Sequence, residues 1–291
     1  MTVNLATRAF PHRMTPGENF VRQIRHTLLQ RFSVQLLLTV GITLGATSIA
    51  SAGAPPKYDH VVVVIMENHS FEQIFHAPTA PYLQKLARDG ALFDHSHGVA
   101  HPSQPNYLAL FSGSTHGVRD DGVHDIAGPN LAARLRTAGK TFAGYVEAGS
   151  PRKHNPWESF ADAKRAGKSL AEFPRDYRRL PAVSFVIPNL RNDMHDGTIG
   201  QADAWLKARL GTYANWSRRH NSLLIVTFDE DDYGLENHIF TLFYGAGIRT
   251  GRYAERIDHY TLLRTIEDIE GIEPLGATVV KKAVGSAWGE R

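Results

Sequence analysis

Tyr58-Asp59-His60-Val61-Val62-Val63-Val64-Ile65-Met66 is an apolar run from Val61 onward that stops at Glu67-Asn68-His69-Ser70. An unbroken, mostly β-branched run of this length reads as a strand buried on both faces, the habit of a parallel sheet covered by helices on either side. Leu180–Asn189 and Ser222–Phe228 repeat the pattern. They too open onto polar residues, Asn192-Asp193-Met194-His195-Asp196-Gly197 after the one and Asp229-Glu230-Asp231-Asp232 after the other. Shorter strands are predicted at Ala91–Phe93, Thr141–Val146 and Ile239–Tyr244. Helices are predicted over Pro81–Arg88, Asn130–Ala138 (stopped by Gly139), Ile199–Arg218 and Asp258–Glu270, with a weak, exposed one at Ala161–Lys168. Strands alternating with helices in this way point to a single doubly wound α/β domain over residues 53–291, its mostly parallel sheet carrying helices on both faces.

The 291 residues are 42% hydrophobic, enough for a sizeable core, and include no cysteine. Disulfides, thiolate catalysis and cysteine-based zinc sites are therefore excluded. Arg8, Arg13, Arg22, Arg25 and Arg31, against the single acid Glu18, precede an uncharged run from Ser33 to Ala50 that ends in Ala50-Ser51-Ala52. This pattern predicts a secretory signal peptide over residues 1–52 and a secreted or periplasmic protein, with an uncleaved membrane anchor as the alternative. The whole chain carries +3, with 32 basic and 29 acidic residues; five bases and one acid lie in the leader, so the remainder carries −1. Bulk charge gives no case for nucleic acid binding or for a basic membrane-holding surface.

His101-Pro102-Ser103-Gln104-Pro105-Asn106-Tyr107-Leu108-Ala109-Leu110-Phe111-Ser112-Gly113 reads as a loop turning into a helix. Ser103 suits the N-cap, Pro105 the first turn and Gly113 the stop, while Tyr107, Leu108, Leu110 and Phe111 place one side in the core. Free N–H groups at a helix mouth attract anions, so Ser103 is either a plain cap or a nucleophile beside a phosphate site. Ends of parallel strands share one edge of the sheet, which would let Glu67, Asn68, Asp229 and Glu230 meet Ser103 there. That oxygen-rich set favours a hard divalent ion, Ca²⁺, Mg²⁺ or Mn²⁺, over zinc. A cation beside Ser103 would lower the proton affinity of its hydroxyl and draw charge off a phosphoryl oxygen. His154, His195 and His238 are candidates to bind phosphate oxygens or to protonate a departing alkoxide. His95, His97 and His101 form a second candidate metal cluster or a solvated loop, and His259 is unassigned between site and structure.

Five blocks in order carry a family resemblance: Met66-Glu67-Asn68-His69-Ser70, His101-Pro102-Ser103-Gln104-Pro105-Asn106-Tyr107, Lys153-His154-Asn155-Pro156-Trp157, Asn192-Asp193-Met194-His195-Asp196-Gly197 and Asp229-Glu230. From about Asp59 to Gly271 the chain resembles the phosphoesterase family of the alkaline phosphatase superfamily, which holds secreted acid phosphatases and the non-haemolytic type of phospholipase C. The resemblance implies an alkaline-phosphatase-like fold and a phospho-serine intermediate on Ser103. It also implies one divalent metal ion held by Glu67, Asn68, Asp229, Glu230 and the Ser103 hydroxyl. His154 and His195 match positions facing the phosphate, and Asp193 one that orients a histidine. The family usually has Asp-His where this chain has Asn237-His238, a departure that favours a single metal. The expected function is a secreted phosphomonoesterase acting on a phosphate-ester small molecule or a phospholipid. The alternative within chemistry is a phospholipase C-like phosphodiesterase, for which little chain follows Gly271. A binding protein that uses the same edge without turnover is the alternative of a different class.

Overall fold

The apolar run at Val61 becomes strand β1 (His60–Met66), and its position explains its composition. In the computed structural model, which describes residues 53–289 apart from Leu235, β1 lies inside an eight-stranded sheet. The other strands are β2 (Ala91–His97), β3 (Phe142–Val146), β4 (Gly167–Ser169), β5 (Val183–Ile187), β6 (Ser222–Phe228), β7 (His238–Gly245) and β8 (Gly251–Asp258). Their spatial order is β4-β3-β5-β1-β6-β7-β2-β8. Every neighbouring pair is parallel except the two made by β7. The helices are α1 (Phe71–Phe75), α2 (Pro81–Asp89), α3 (Ser103–Ser112), α4 (Leu131–Thr137), α5 (Ile199–Ser217) and α6 (His259–Glu270). Val61, Val63 and Ile65 join a core with α3, α4 and α6 on one face, while Val62, Val64 and Met66 join a core with α1, α2 and α5 on the other. Successive side chains of a strand point to opposite faces, so a strand covered on both sides has no polar position to offer. The expected signal segment, residues 1–52, lies outside the described residues. Among the described residues no helix is long and apolar enough to cross a membrane.

Three local expectations are corrected. Residues 161–168 form no α-helix: a 3₁₀ turn (Lys164–Ala166) leads into β4, which pairs with the sheet through Gly144 and Gly167. The indole of Trp157 fills the space beside both glycines, where a Cβ would come within 2.2 and 2.7 Å of its ring. The histidine-rich residues 94–97 are not a loop but the second half of β2. Helix α3 is buried on all ten residues and not along one side, because it is sandwiched between the sheet and α6 and the loops around it. Gly113 does end α3, in the left-handed conformation at φ 71°, and a Cβ there would lie 2.1 Å from the Leu275 carbonyl oxygen.

Candidate active site

Strand register brings the first donors together. Met66 is paired with Phe228, and the Asp229 N–H donates to the Met66 carbonyl at 2.9 Å, so Glu67 and Asp229 leave the sheet side by side. The Asn68 N–H donates to Asp229 Oδ1 at 3.2 Å, with Asn68 at φ 53°, a left-handed conformation that asparagine tolerates. The loop after β5 joins them through the Glu67 N–H, which donates to the Asp193 carbonyl at 2.9 Å. From the other side, Asn106 Oδ1 accepts from the Val99 and Ala100 N–H groups and pins the loop between β2 and α3. Ser103 is then not the N-cap: Pro102 holds that place without a side-chain bond. The Ser103 hydroxyl lies 3.1 Å from Glu67 Oε2 and 3.1 Å from Glu230 Oε1.

His154 arrives on a 3₁₀ turn (Arg152–His154) and is wholly buried. Its Nε2 comes within 3.1 Å of Glu67 Oε1 and its Nδ1 within 3.6 Å of Asp193 Oδ2, neither with the alignment of a hydrogen bond. Asp193 Oδ1 accepts from the His195 N–H at 2.8 Å. The half-buried His195 ring sits 6.2 Å from that of His154, its Nδ1 bonded to Asp196. Three further residues reach the cluster without having been assigned to it. The Tyr107 hydroxyl donates to Glu67 Oε1, and its ring stacks on His154 at 5.0 Å. His101 Nδ1 bonds Glu230 Oε2, and His259 Nε2–H donates to the Asp229 carbonyl at 2.6 Å. A signal for Tyr107 was present: it follows Ser103 by four residues and so shares its helix face.

His238 is not brought to Ser103 by any of its contacts. Its Nε2–H donates to the Asp94 carbonyl at 2.7 Å and its ring stacks on Phe71 at 4.8 Å, because the start of β7 turns that side chain onto the α1 face of the sheet. The histidine cluster also separates. His95 is exposed, His97 Nδ1–H donates to the Glu236 carbonyl with Arg256 on its other nitrogen, and His101 alone reaches the carboxylates.

Burial governs the charges. It pushes Asp193 up to about 8, and with the charge of Glu230 it lifts Asp229 to about 7. Glu230 rises to about 7 for the same reason, against the Ser103 hydroxyl that favours its ionised form. Burial, then the charges of Asp229 and Asp193, hold Glu67 well above the usual carboxylate range. Burial, with Lys153 and His195 adding to it, depresses His154 to about 2, so its imidazole is neutral. Four acids close together out of water call for a positive charge. Asn68 Oδ1, Asp229 Oδ2, Asp193 Oδ2 and both nitrogens of His154 are buried without a hydrogen-bond partner among the described residues. One donor atom each from Glu67, His154 and Asp193 lie within 4.8 Å of one another, a set that overlaps the expected one at Glu67. Buried, orphaned oxygen and imidazole donors of this kind fit a divalent cation.

A mostly parallel α/β sheet thus carries an acid-ringed serine at its carboxyl edge. Solved structures agree on that fold: a protein in the alkaline phosphatase superfamily from Vibrio parahaemolyticus superposes with a TM-score of 0.56, at 13% identity over 80% of this chain and 73% of its own. The C-terminal periplasmic domain of EcEptC from Escherichia coli, in complex with Zn, gives 0.53 at 11% identity over 82% and 89%. The family model described as Phosphoesterase family matches residues 73–273, and the chain belongs to that family. It is a phosphoric ester hydrolase. A phosphatidylinositol-3-phosphatase of Mycobacterium tuberculosis is 43% identical over 257 residues, covering 82% of this chain and 86% of that protein. A phosphate-repressible acid phosphatase of Penicillium chrysogenum is 30% identical over 254 residues, 75% of this chain and 60% of the fungal protein, so this chain spans less than two thirds of the latter.

Proposed function

We propose that this chain is a metal-dependent phosphomonoesterase working through Ser103. Its oxygen attacks phosphorus, the bond from phosphorus to the alcohol oxygen breaks, and the alcohol departs with a proton. Water then cleaves the phospho-serine and restores the hydroxyl. The observation that carries this is the Ser103 hydroxyl held at 3.1 Å from two buried carboxyl groups at the first residue of α3. Glu230 Oε1, 3.1 Å from that hydroxyl, is within reach of its proton. His195 would protonate the departing alkoxide, a reading supported by its partial exposure, while Asp193 fixes its backbone and faces His154. Glu67, Asn68, Ser103, Asp229 and Glu230 would hold one divalent ion, with His154 and Asp193 beside Glu67. Such an ion supplies charge that stabilises the serine alkoxide and the phosphoryl oxygens. The mycobacterial relative's name supports a phosphorylated inositol lipid as substrate. The basic, apolar leader supports export. Replacing Ser103 by Ala should cut p-nitrophenyl phosphate turnover by about a thousandfold or more while the metal content by elemental analysis stays at the parental level. An alanine variant that hydrolyses the ester at the parental rate overturns the mechanism.

A further inference from the structure

We infer that Lys153 binds the phosphoryl group and selects a doubly charged monoester over a singly charged diester, a role that rests on the phosphomonoesterase reading above. Lys153 precedes His154 on the same 3₁₀ turn and is 18% exposed. Its ammonium lies 2.8 Å from Asp121 Oδ2, and the other oxygen of Asp121 accepts from the Gln104 N–H at 3.0 Å. One carboxylate thus clips the lysine to the first turn of α3, one residue past Ser103. An ammonium has three donors, and Asp121 takes one. Its charge bears on Glu67, Asp229 and Glu230, the acids grouped around the serine hydroxyl. Unsatisfied polar atoms flank the clip in sequence on both sides. Both amide atoms of Gln104 and Oδ1 of Asn155 are buried without a hydrogen-bond partner among the described residues.

The charge balance gives the lysine its part. A monoester brings two negative charges to a site that already holds Glu67, Asp193, Asp229 and Glu230, and one divalent ion offsets only two. Coulomb energy is linear in the charge of the ligand, so losing one cation costs a dianion about twice the energy it costs a monoanion. A loss of about 30-fold on the dianion then corresponds to about 5-fold on the monoanion, the square root of the first factor. Asp121 is a positioning residue in this scheme, acting through Lys153.

The test uses the full chain supplied with divalent metal, in parental form and as Lys153→Met, Lys153→Arg and Asp121→Asn, each first shown to keep the parental unfolding temperature. Calorimetry with inorganic phosphate should show binding weakened about 30-fold in Lys153→Met and within about threefold of parent in Lys153→Arg. The ratio of kcat/KM for p-nitrophenyl phosphate to that for bis-p-nitrophenyl phosphate should fall about sixfold in Lys153→Met and hold in Lys153→Arg. Asp121→Asn should raise KM for the monoester with kcat nearly unchanged. Phosphate binding at parental strength in Lys153→Met, or equal losses on both esters, overturns the inference. If the parent turns over no monoester yet loses phosphate binding with Lys153, the hydrolytic reading fails and the anion contact stands.

Discussion

Replacing Tyr107 by Phe removes one oxygen from the interior and tests whether Glu67 works as an ionised ligand. The hydroxyl donates to Glu67 Oε1, and the ring stays in place against His154 whether or not the oxygen is there. In metal-free protein burial favours the neutral form of Glu67, and a hydrogen bond to a neutral carboxyl is worth about 1 kcal/mol. With a cation bound Glu67 is ionised, and a hydrogen bond to a charged group is worth about 1.5–3 kcal/mol. The difference, about 0.5–2 kcal/mol, is borne by the metal equilibrium and corresponds to roughly a 2- to 30-fold weaker affinity. Outer partners of metal ligands generally cost about 10–100-fold when removed, which overlaps this range between about 10- and 30-fold. Calorimetric titration of metal-free protein with Mn²⁺ measures the shift, and phosphatase activity in Tyr107→Phe should recover at saturating metal. Equal affinity in the variant and the parent would show that Glu67 is not an ionised ligand, and the proposed donor set would lose its centre.

Two further outcomes concern stability. Glu267 is buried on α6, where the Leu275 N–H and the Thr278 hydroxyl bond its two oxygens, and burial pushes its carboxyl up to about 7. Below about pH 4.5 it is protonated in the folded and the unfolded chain alike. Between there and about 7 the unfolded chain releases the proton while the folded chain keeps it, so stability falls by up to about 1.4 kcal/mol per pH unit and levels off above. Urea midpoints at pH 4.5 and 7.5 should show that Glu267→Gln loses less stability over this interval than the parent; an identical pH dependence would sink the assignment. Gly113→Ala asks a β-carbon to sit 2.1 Å from the Leu275 carbonyl oxygen at φ 71°. It should lower the melting temperature by about 5 °C or more, and a change under about 1 °C would show that the α3–Leu275 approach is not fixed.

What the sequence revealed followed from chemistry that is local along the chain. Val61–Met66 and Ser222–Phe228 were legible because a strand buried on both faces leaves no charged interruption, and the residues after them were legible because strand ends share an edge. Strand β8 escaped notice because an edge strand needs little apolar surface: Arg252, Glu255 and Arg256 interrupt it, and only Tyr253 and Ile257 are buried. Ser103 was found at the right helix end but in the wrong local role. Pro102 takes the cap position, and the Ser103 hydroxyl is claimed instead by two acids 36 and 127 residues away in the chain. Lys153 and Asp121 could not be paired from sequence, since their contact spans 32 residues across two loops of unremarkable polar composition. His238 shows the converse: it stands at the expected edge, yet the strand turns its ring to Phe71 instead of the serine.

Helix α3 ties the two kinds of information together. Its ten residues are all buried, so its position is fixed from every side by packing that has nothing to do with chemistry. Ser103, Asn106 and Tyr107 occupy its first five residues and inherit that fixity. Asn106 holds the preceding loop, Ser103 meets Glu67 and Glu230, and Tyr107 reaches Glu67 from one turn further along. A nucleophile set in a core helix is aimed without a flexible loop, which suits a reaction that needs the attacking oxygen in one place. The same packing means that a substitution in α3 acts on folding and on chemistry at once. The Tyr107→Phe experiment separates them because its benzene ring preserves the core contact while only the hydroxyl is lost.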